Sequence, residues 1–383
     1  MRRMAGLWAA LLMVLALTPV QAGAVELPIR AEAALLMEKE TGQVLYAQNE
    51  HEALEPASVT KVMTLLLTME AIEKGSLHYD DVVTVSAYAA SMGGSHVYLS
   101  EGEQITVDDL LKAVCVASGN DAAVALAECV AGVTELFVEQ MNTRAKELGM
   151  TDTHFVNCTG LPAEGHVTSA WDIALMSREL IEKHPDIRRY TTIWMDSLRD
   201  GASSLVNTNR LIRFYQGATG LKTGSTDSAL YCLSGTAERD GMELIAVVMG
   251  AETSQSRNAA CKSLLDYGFA NFAVVSPDLS DCDNQIPVRL GKDAGVSAVP
   301  EADMALLIDK AQKSGVTSEV TLEPTVTAPV SRGQRLGTLT VKSGDLVLKE
   351  VPLVAAQEVE RLSYGEIYRM VLMRAAMAKT NAE

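Results

Sequence analysis

The 383-residue sequence lacks several features that would indicate other classes of protein. Its net charge is −17, from 49 acidic and 32 basic residues, so it has no surplus of positive charge for nucleic acid phosphates. Its six cysteines form no CxxC pair and no His-spaced zinc pattern, so we expect no metal and no cofactor. It has no low-complexity tract, and its 48% hydrophobic content predicts a globular chain that is long enough for two domains.

The only long apolar run lies at the start of the chain. Arg2 and Arg3 precede an apolar stretch at 7–17, and small residues follow at 22–24. This order predicts a secretory signal peptide over 1–24, and therefore an exported protein. An uncleaved anchor is the alternative, although the run is shorter than the roughly 20 residues that a membrane span needs. Outside the cytoplasm the six cysteines could form up to three disulfides, and the sequence leaves their pairing open.

Residues 25–275 are predicted to form an α+β domain, with a helical cluster packed on an antiparallel sheet. A hairpin is expected over 31–48, and a helix that is apolar almost all round is expected over 58–74. Further apolar patterns predict helices at 107–117, 121–130, 170–182 and 258–269, and strands at 231–237 and 243–250. These elements do not follow a strict βαβ rhythm, which favours the α+β class.

The composition changes near residue 276. Short alternating runs predict a small β-rich domain over 276–359, followed by an amphipathic helix over 360–383. One side of this helix carries apolar residues, and basic residues are distributed around it. The pattern fits a helix that lies on a membrane surface, or equally one docked on the protein itself.

The first chemical motif is Ser58-Val59-Thr60-Lys61, at the start of the buried helix. A spacing of three residues places Ser58 and Lys61 on one helical face, where the hydroxyl and the amine can touch. Burial and a second ammonium group, that of Lys222, would both lower the proton affinity of Lys61 and allow it to act as a base. The motif is weak by itself, but Ser58 is the only serine with a lysine three positions later.

Two further motifs follow along the chain. Ser118-Gly119-Asn120 lies in a loop between two predicted helices, where a hydroxyl can relay a proton and an amide can bind a peptide group. A helix N-cap is the alternative for Ser118. Lys222-Thr223-Gly224 occurs once and is expected where a strand begins. Lys222 and the Thr223 hydroxyl can hold a carboxylate, and Gly224 lets a substrate lie close to the strand edge.

The three motifs, in this order, resemble those of the low-molecular-mass penicillin-binding proteins that are D-alanyl-D-alanine carboxypeptidases. The resemblance extends from about residue 30 to the C-terminus. It implies a β-lactamase/transpeptidase-like domain, a β-rich accessory domain, and a terminal helix on the outer face of the cytoplasmic membrane. It also implies a peptidoglycan stem peptide ending in D-Ala-D-Ala as substrate and β-lactams as covalent inhibitors.

The same resemblance implies a role for each motif residue. Ser58 would be acylated with loss of the terminal D-Ala, Lys61 would be the general base, and Ser118 would pass the proton to the leaving amine. Asn120 would bind the substrate backbone, and Lys222 and Thr223 would receive the free carboxylate.

Three more positions follow from the resemblance. The backbone N–H groups of Ser58 and Ser225 would form the oxyanion hole. Arg257 stands where the family places an arginine near the carboxylate. Two positions depart from the pattern: Thr219 replaces the usual Asp before Gly-Leu-Lys-Thr-Gly, and Ser225 replaces a larger residue.

Other activities remain as alternatives. A serine β-lactamase would use a Glu-x-x-Leu-Asn run for deacylation, and this sequence has none. An endopeptidase that cleaves D-Ala cross-links, or a catalytically weak penicillin-binding or wall-sensing protein, would share the same three motifs.

Overall fold

A computed structural model describes residues 27–277, 284–302 and 304–380, with the side chains of the last helix described as far as Met373. The predicted signal peptide at 1–24, the end of the chain and Cys282 lie outside the described residues. The other five cysteines are free thiols, so the structure forms no disulfide among them. Burial raises the pKa of the Cys115, Cys158 and Cys261 thiols to about 12, so that all three stay protonated.

A five-stranded antiparallel sheet forms the centre of the first domain, in the order β2-β1-β9-β8-β7. Helices cover both sides of this sheet, so the middle strand β9 is apolar along most of its length, and β1 is buried along its whole length. The strands up to residue 275 are β1 (Ala33–Glu38), β2 (Val44–Gln48), β3 (Val82–Thr84), β4 (Gln104–Thr106), β5 (Met195–Leu198), β6 (Ser203–Val206), β7 (Ala218–Thr226), β8 (Leu230–Arg239), β9 (Met242–Ala251) and β10 (Phe272–Val275). The predicted hairpin and the two predicted strands are therefore confirmed, and β7 is the last strand at one edge.

Most helices cluster on one face of this sheet, around the buried helix α1. The helices are α1 (Lys61–Glu73), α2 (Ala87–Ala90), α3 (Val107–Lys112), α4 (Asn120–Ala131), α5 (Thr134–Glu147), α6 (Ala170–Lys183), α7 (Arg188–Thr191), α8 (Leu211–Phe214) and α9 (Ser254–Asn271), with α10 (Tyr364–Thr380) near the end of the chain. Helix α9 packs on the opposite face, against β8 and β9. The predicted arrangement of a helical cluster on an antiparallel sheet is confirmed.

Three predicted helix boundaries are wrong. The helix predicted at 258–269 begins earlier, at Ser254. The other two differences lie at chemical motifs. Ser58 does not open the α-helix but lies in a 3-10 turn, Ala57–Thr60, that leads into α1. Helix α3 ends at Lys112 and continues as a π-helical turn, Ala113–Ala117, which delivers Ser118. Apolar periodicity does not distinguish these tighter or wider turns from an α-helix, and such π turns often occur at functional sites.

The β-rich region contains a second sheet with its own apolar core. Its strands and the short ones beside it are β11 (Gln285–Arg289), β12 (Gly295–Pro300), β13 (Leu306–Asp309), β14 (Val316–Leu322), β15 (Val326–Thr327), β16 (Arg335–Ser343) and β17 (Leu346–Ala355). Six of them form a sheet in the order β14-β16-β17-β12-β11-β15. Strand β13 pairs instead with β10, so the connection between the two regions is itself a small two-stranded sheet.

Helix α10 carries several large apolar side chains that face solvent. Tyr364 is 93% exposed and Tyr368 is 67% exposed, and Val371, Leu372 and Met373 are also exposed. Among the residues that the structure describes, no helix is both long and apolar enough to cross a membrane.

Candidate active site

The Ser58 hydroxyl and the Lys61 amine meet as the motif predicts. The distance from Lys61 Nζ to Ser58 Oγ is 2.9 Å. The other two contacts of Nζ are the side-chain oxygen of Asn120 at 2.6 Å and the backbone oxygen of Thr159 at 2.9 Å. The 3-10 turn Ala57–Thr60 runs directly into α1, and it holds Ser58 within hydrogen-bond distance of Lys61, the first residue of that helix.

Lys61 is completely buried. Burial, together with the positive charge of Lys222, holds the pKa of Lys61 well below its ordinary value of 10.5. A neutral lysine has two N–H groups and one lone pair. The two N–H groups can satisfy the oxygens of Asn120 and Thr159, which leaves the lone pair directed at the hydroxyl proton of Ser58.

Ser118 lies between the π turn and α4, and it has a left-handed backbone with φ of 63°. A non-glycine residue rarely adopts this conformation, and such residues often mark functional sites. Its Oγ accepts a hydrogen bond of 2.8 Å from Nζ of Lys222. The N-cap alternative does not apply, because Gly119 precedes α4 and no side chain caps this helix.

Lys222 lies in the middle of β7 rather than at its start, which corrects the prediction from sequence. It is buried, and Nζ also donates to the backbone oxygen of Thr223 at 2.7 Å. Burial, with a contribution from the positive charge of Arg257, lowers the pKa of Lys222 to about 7. Lys222 therefore exchanges its proton in the neutral pH range.

The Thr223 hydroxyl has a partner that the sequence motifs did not reveal. Its Oγ1 is 2.6 Å from Oγ1 of Thr208, an exposed residue in the loop after β6. Two adjacent hydroxyls beside a lysine form a polar surface that can accept a carboxylate. Thr159 was also missed. Because its contribution is a backbone oxygen, no side-chain pattern could have indicated it.

Gly224 allows β7 to lie against the turn that carries Ser58. A Cβ atom added to Gly224 would be 2.8 Å from the backbone oxygen of Pro56 and 2.9 Å from the backbone nitrogens of Ser58 and Val59. Real Cβ atoms do not approach backbone atoms this closely, so a glycine is required at this position.

Ser225 and Arg257 lie on the same side of the site. Ser225 is exposed and pairs with Tyr231 of β8. The guanidinium of Arg257 stacks over the ring of Tyr231 at 5.9 Å, and Arg257 is only 5% exposed. Thr219 is also hydrogen-bonded within the sheet, since its hydroxyl contacts the side chains of Thr236 and Glu243.

Comparisons with known proteins agree with this geometry. The sequence profile of the D-alanyl-D-alanine carboxypeptidase family matches residues 20–253, and that of the penicillin-binding protein 5 C-terminal domain matches residues 279–361. D-alanyl-D-alanine carboxypeptidase DacF of Bacillus subtilis is 42% identical over 88% of each chain. DacC of Escherichia coli, with the same description, is 34% identical over 91% of this chain and 90% of its own.

Solved structures show the same fold. Penicillin-binding protein 5 from Haemophilus influenzae matches 88% of this chain and all of its own, with a TM-score of 0.75 and 30% identity. The ampicillin-bound form of penicillin-binding protein D2 from Listeria monocytogenes matches 64% of this chain and all of its own, with a TM-score of 0.59 and 35% identity. The resemblance inferred from the three motifs is thus confirmed, and the chain belongs to the D-alanyl-D-alanine carboxypeptidase family of serine peptidases.

Proposed function

We propose that this chain removes the C-terminal D-Ala from peptidoglycan stem peptides through an acyl-enzyme on Ser58. The chain is a serine-type D-alanyl-D-alanine carboxypeptidase by family, and the proposal assigns the steps to its residues. The observation that carries it is the arrangement around Lys61. A buried amine, whose pKa is held well below its ordinary value by burial, lies 2.9 Å from the Ser58 hydroxyl, and its contacts with Asn120 and Thr159 fix its orientation.

In the first step, Ser58 Oγ attacks the carbonyl carbon of the penultimate D-Ala while Lys61 takes the hydroxyl proton. The oxyanion that develops is bound by the backbone N–H groups of Ser58 and Ser225. The bond between this carbon and the nitrogen of the terminal D-Ala then breaks. Ser118 gives its hydroxyl proton to the departing amine and takes in return the proton that Lys61 removed from Ser58, so that Lys61 becomes neutral again. The positive charge of Lys222 beside Ser118 favours this transfer. Water subsequently hydrolyses the Ser58 ester and releases the shortened peptide.

The free carboxylate of the substrate is bound by Lys222 and by the hydroxyls of Thr223 and Thr208, with Arg257 close behind. These groups lie on or beside β7, and their closeness supports one shared carboxylate site. A requirement for a free carboxylate restricts cleavage to the end of a peptide chain. β-Lactam antibiotics carry a carboxylate beside a reactive carbonyl, and we propose that they acylate Ser58 in the same way.

We also propose that the protein acts outside the cytoplasm and is held at the membrane surface. The predicted signal peptide at 1–24 supports export, and the family acts on peptidoglycan. The exposed apolar residues of α10 support binding to a lipid surface, since an isolated helix in water gains nothing from exposing them. The corresponding division is 25–275 for the peptidase domain, 276–359 for the β-rich domain and 360–383 for the anchoring helix.

The test is intact-mass analysis with benzylpenicillin, followed by measurement of D-Ala released from a diacylated D-Ala-D-Ala peptide. We expect the wild type to gain one drug mass and to release D-Ala, and Ser58→Ala to do neither. Ser204→Ala, which alters an exposed serine in β6, is the control and should behave as the wild type. Acylation without release of D-Ala would favour the endopeptidase or the sensing protein, which dimeric cross-linked peptides would distinguish. A wild type that is not acylated would contradict the assignment of Ser58.

A further inference from the structure

The residue before the nucleophile has an unusual backbone conformation. Ala57 has φ of 46°, in the left-handed region that non-glycine residues seldom adopt. Such a conformation is strained, and it persists only where neighbouring groups hold it. Because Ala57 sets the direction of the chain at Ser58, the groups that hold Ala57 also orient the nucleophile.

The carbonyl of Ala57 is held by a chain of buried hydrogen bonds. The Thr60 hydroxyl is 2.9 Å from the Ala57 oxygen and 2.8 Å from Nε2 of His166. Nδ1 of His166 is 3.0 Å from the backbone nitrogen of Val156. These hydrogen bonds therefore link the loop between α5 and α6 to the turn that carries Ser58.

The donor and the acceptor of each of these hydrogen bonds can be assigned. A backbone N–H can only donate, so Nδ1 of His166 accepts from Val156. A neutral imidazole then carries its proton on Nε2, which donates to the Thr60 hydroxyl, and Thr60 donates to the Ala57 carbonyl. Burial lowers the pKa of His166 to about 4, which agrees with a neutral ring at neutral pH.

The same loop contacts the catalytic groups at two other points. The backbone oxygen of Thr159 accepts a hydrogen bond from Lys61. Gly160 lies against Ala57, and a Cβ on Gly160 would be only 1.8 Å from the Ala57 oxygen. The loop therefore positions Lys61 through Thr159. Through His166 it positions the turn Ala57–Thr60, called the nucleophile turn below.

We propose that His166 is a positioning residue for Ser58, and that it acts by holding Thr60 and, through Thr60, the strained carbonyl of Ala57. This inference rests on the proposed role of Ser58 and adds a residue that no motif includes. His166 does not touch the substrate. Its loss should let the turn relax and misalign Ser58 with Lys61, which would slow acylation more than it weakens binding.

The experiment tests the contributions of Nδ1 and Nε2 of His166 separately. In His166→Asn, the amide can still accept from Val156, but it does not reach Thr60. In His166→Gln, the amide nitrogen can replace Nε2 and donate to Thr60. For acylation by a fluorescent penicillin, we expect the limiting rate constant of His166→Asn to fall about tenfold or more, with little change in the initial dissociation constant. The rate of His166→Gln should lie closer to that of the wild type.

Two Thr60 variants test the same series of hydrogen bonds without altering the buried ring of His166. Thr60→Val removes the hydroxyl at nearly constant volume and should slow acylation as His166→Asn does, whereas Thr60→Ser should retain the rate. The double variant, His166→Asn with Thr60→Val, should react no more slowly than the slower single variant, because both substitutions interrupt the same series of hydrogen bonds. Thr68→Val is the matched control, because its buried hydroxyl donates to the Thr64 carbonyl within α1.

The outcomes are distinguishable from failure of the proposed function. If the wild type is not acylated, the role of Ser58 is wrong. If the wild type is acylated, and folded His166→Asn and Thr60→Val react at its rate, the positioning role is wrong. Equal losses in Thr60→Val and Thr68→Val, matched by equal losses in melting temperature, would also reject it, because they would indicate a general effect on stability.

Discussion

The side-chain oxygen of Asn120 is 2.6 Å from Nζ of Lys61. The amide nitrogen of the same side chain donates to the backbone oxygen of Gly93 at 2.7 Å, which fixes the orientation of the amide. Asn120 therefore offers Lys61 an acceptor without a charge. A neutral acceptor orients the amine and gives it little reason to hold a third proton. The predicted contact of Asn120 with the substrate backbone stays a prediction, alongside this contact with Lys61.

Replacing this amide by a carboxylate should inactivate the base. In Asn120→Asp, a negative charge beside Lys61 would raise the pKa of the amine and keep it protonated at neutral pH. We expect acylation by benzylpenicillin at pH 7 to fall at least about a hundredfold, by the usual size of general-base effects. The loss should shrink as the pH rises, because Lys61 then loses its extra proton.

Stopped-flow acylation rates between pH 6 and 10 would measure this effect. Asn271→Asp is the control, because Asn271 is exposed at the end of α9 and should leave the profile unchanged. A loss in Asn120→Asp that is independent of pH would contradict the assignment of Lys61 as the base.

The charge of Lys222 should control recognition of the carboxylate. Its pKa is lowered to about 7, mainly by burial, so the free enzyme loses this charge as the pH rises through about 7. The second-order rate of acylation should therefore decline above this pH. Lys222→Arg keeps its charge over the whole range, and its rate, although lower, should not decline between pH 6 and 9. A wild-type rate that is constant from pH 6 to 9 would exclude this role for Lys222.

The close approach of β7 to the nucleophile turn should not tolerate a side chain. Gly224→Ala would place a Cβ within 2.9 Å of three backbone atoms, so the strand or the turn must shift. A displacement of about 1 Å in an active site can reduce the rate about a hundredfold. Acylation should show this loss. Gly315→Ala, where the nearest atom is the Ser343 hydroxyl oxygen at 3.6 Å, should acylate normally. Normal acylation by folded Gly224→Ala would refute the proposed contact.

Helix α10 should bind lipid through its exposed apolar residues. Tyr368→Asp and Leu372→Asp each place a charge on this surface and should reduce co-sedimentation with vesicles of anionic phospholipid. Leu346→Asp alters a residue of the β-rich domain that is 59% exposed, and it should leave binding unchanged. Equal binding by all the variants would mean that α10 does not contact the membrane, and would favour a role in contacting protein.

The sequence predicted the parts of the site that consist of distinctive side chains. Ser58 and Lys61 are three residues apart, so local geometry brings them together, and the buried character of α1 indicated the neutral amine. The hydrogen bond between Lys222 and Ser118 joins residues that are 104 positions apart, and neither the motifs nor the resemblance to a known family predicted it. Within the fold, the strong apolar strands β8 and β9 and the early hairpin were predictable from alternation alone.

The remaining features leave little trace in the sequence. Thr159 contributes a backbone oxygen, and Thr208 contributes an ordinary hydroxyl from a loop. The 3-10 turn at Ser58 and the π turn before Ser118 have the same apolar pattern as an α-helix. His166 looks like an ordinary buried histidine until its two partners are seen. These features depend on tertiary packing, which short-range patterns do not record.

The position of β7 at the edge of the central sheet has a consequence for how the protein meets other chains. An edge strand leaves a row of backbone donors and acceptors without partners from its own sheet, which invites a foreign strand to pair with it and makes such edges a common route to aggregation. In this protein the turn Ala57–Thr60 packs against β7 at Gly224 and covers part of the edge. The turn that carries Ser58 therefore also shields this part of the edge from pairing with a second sheet.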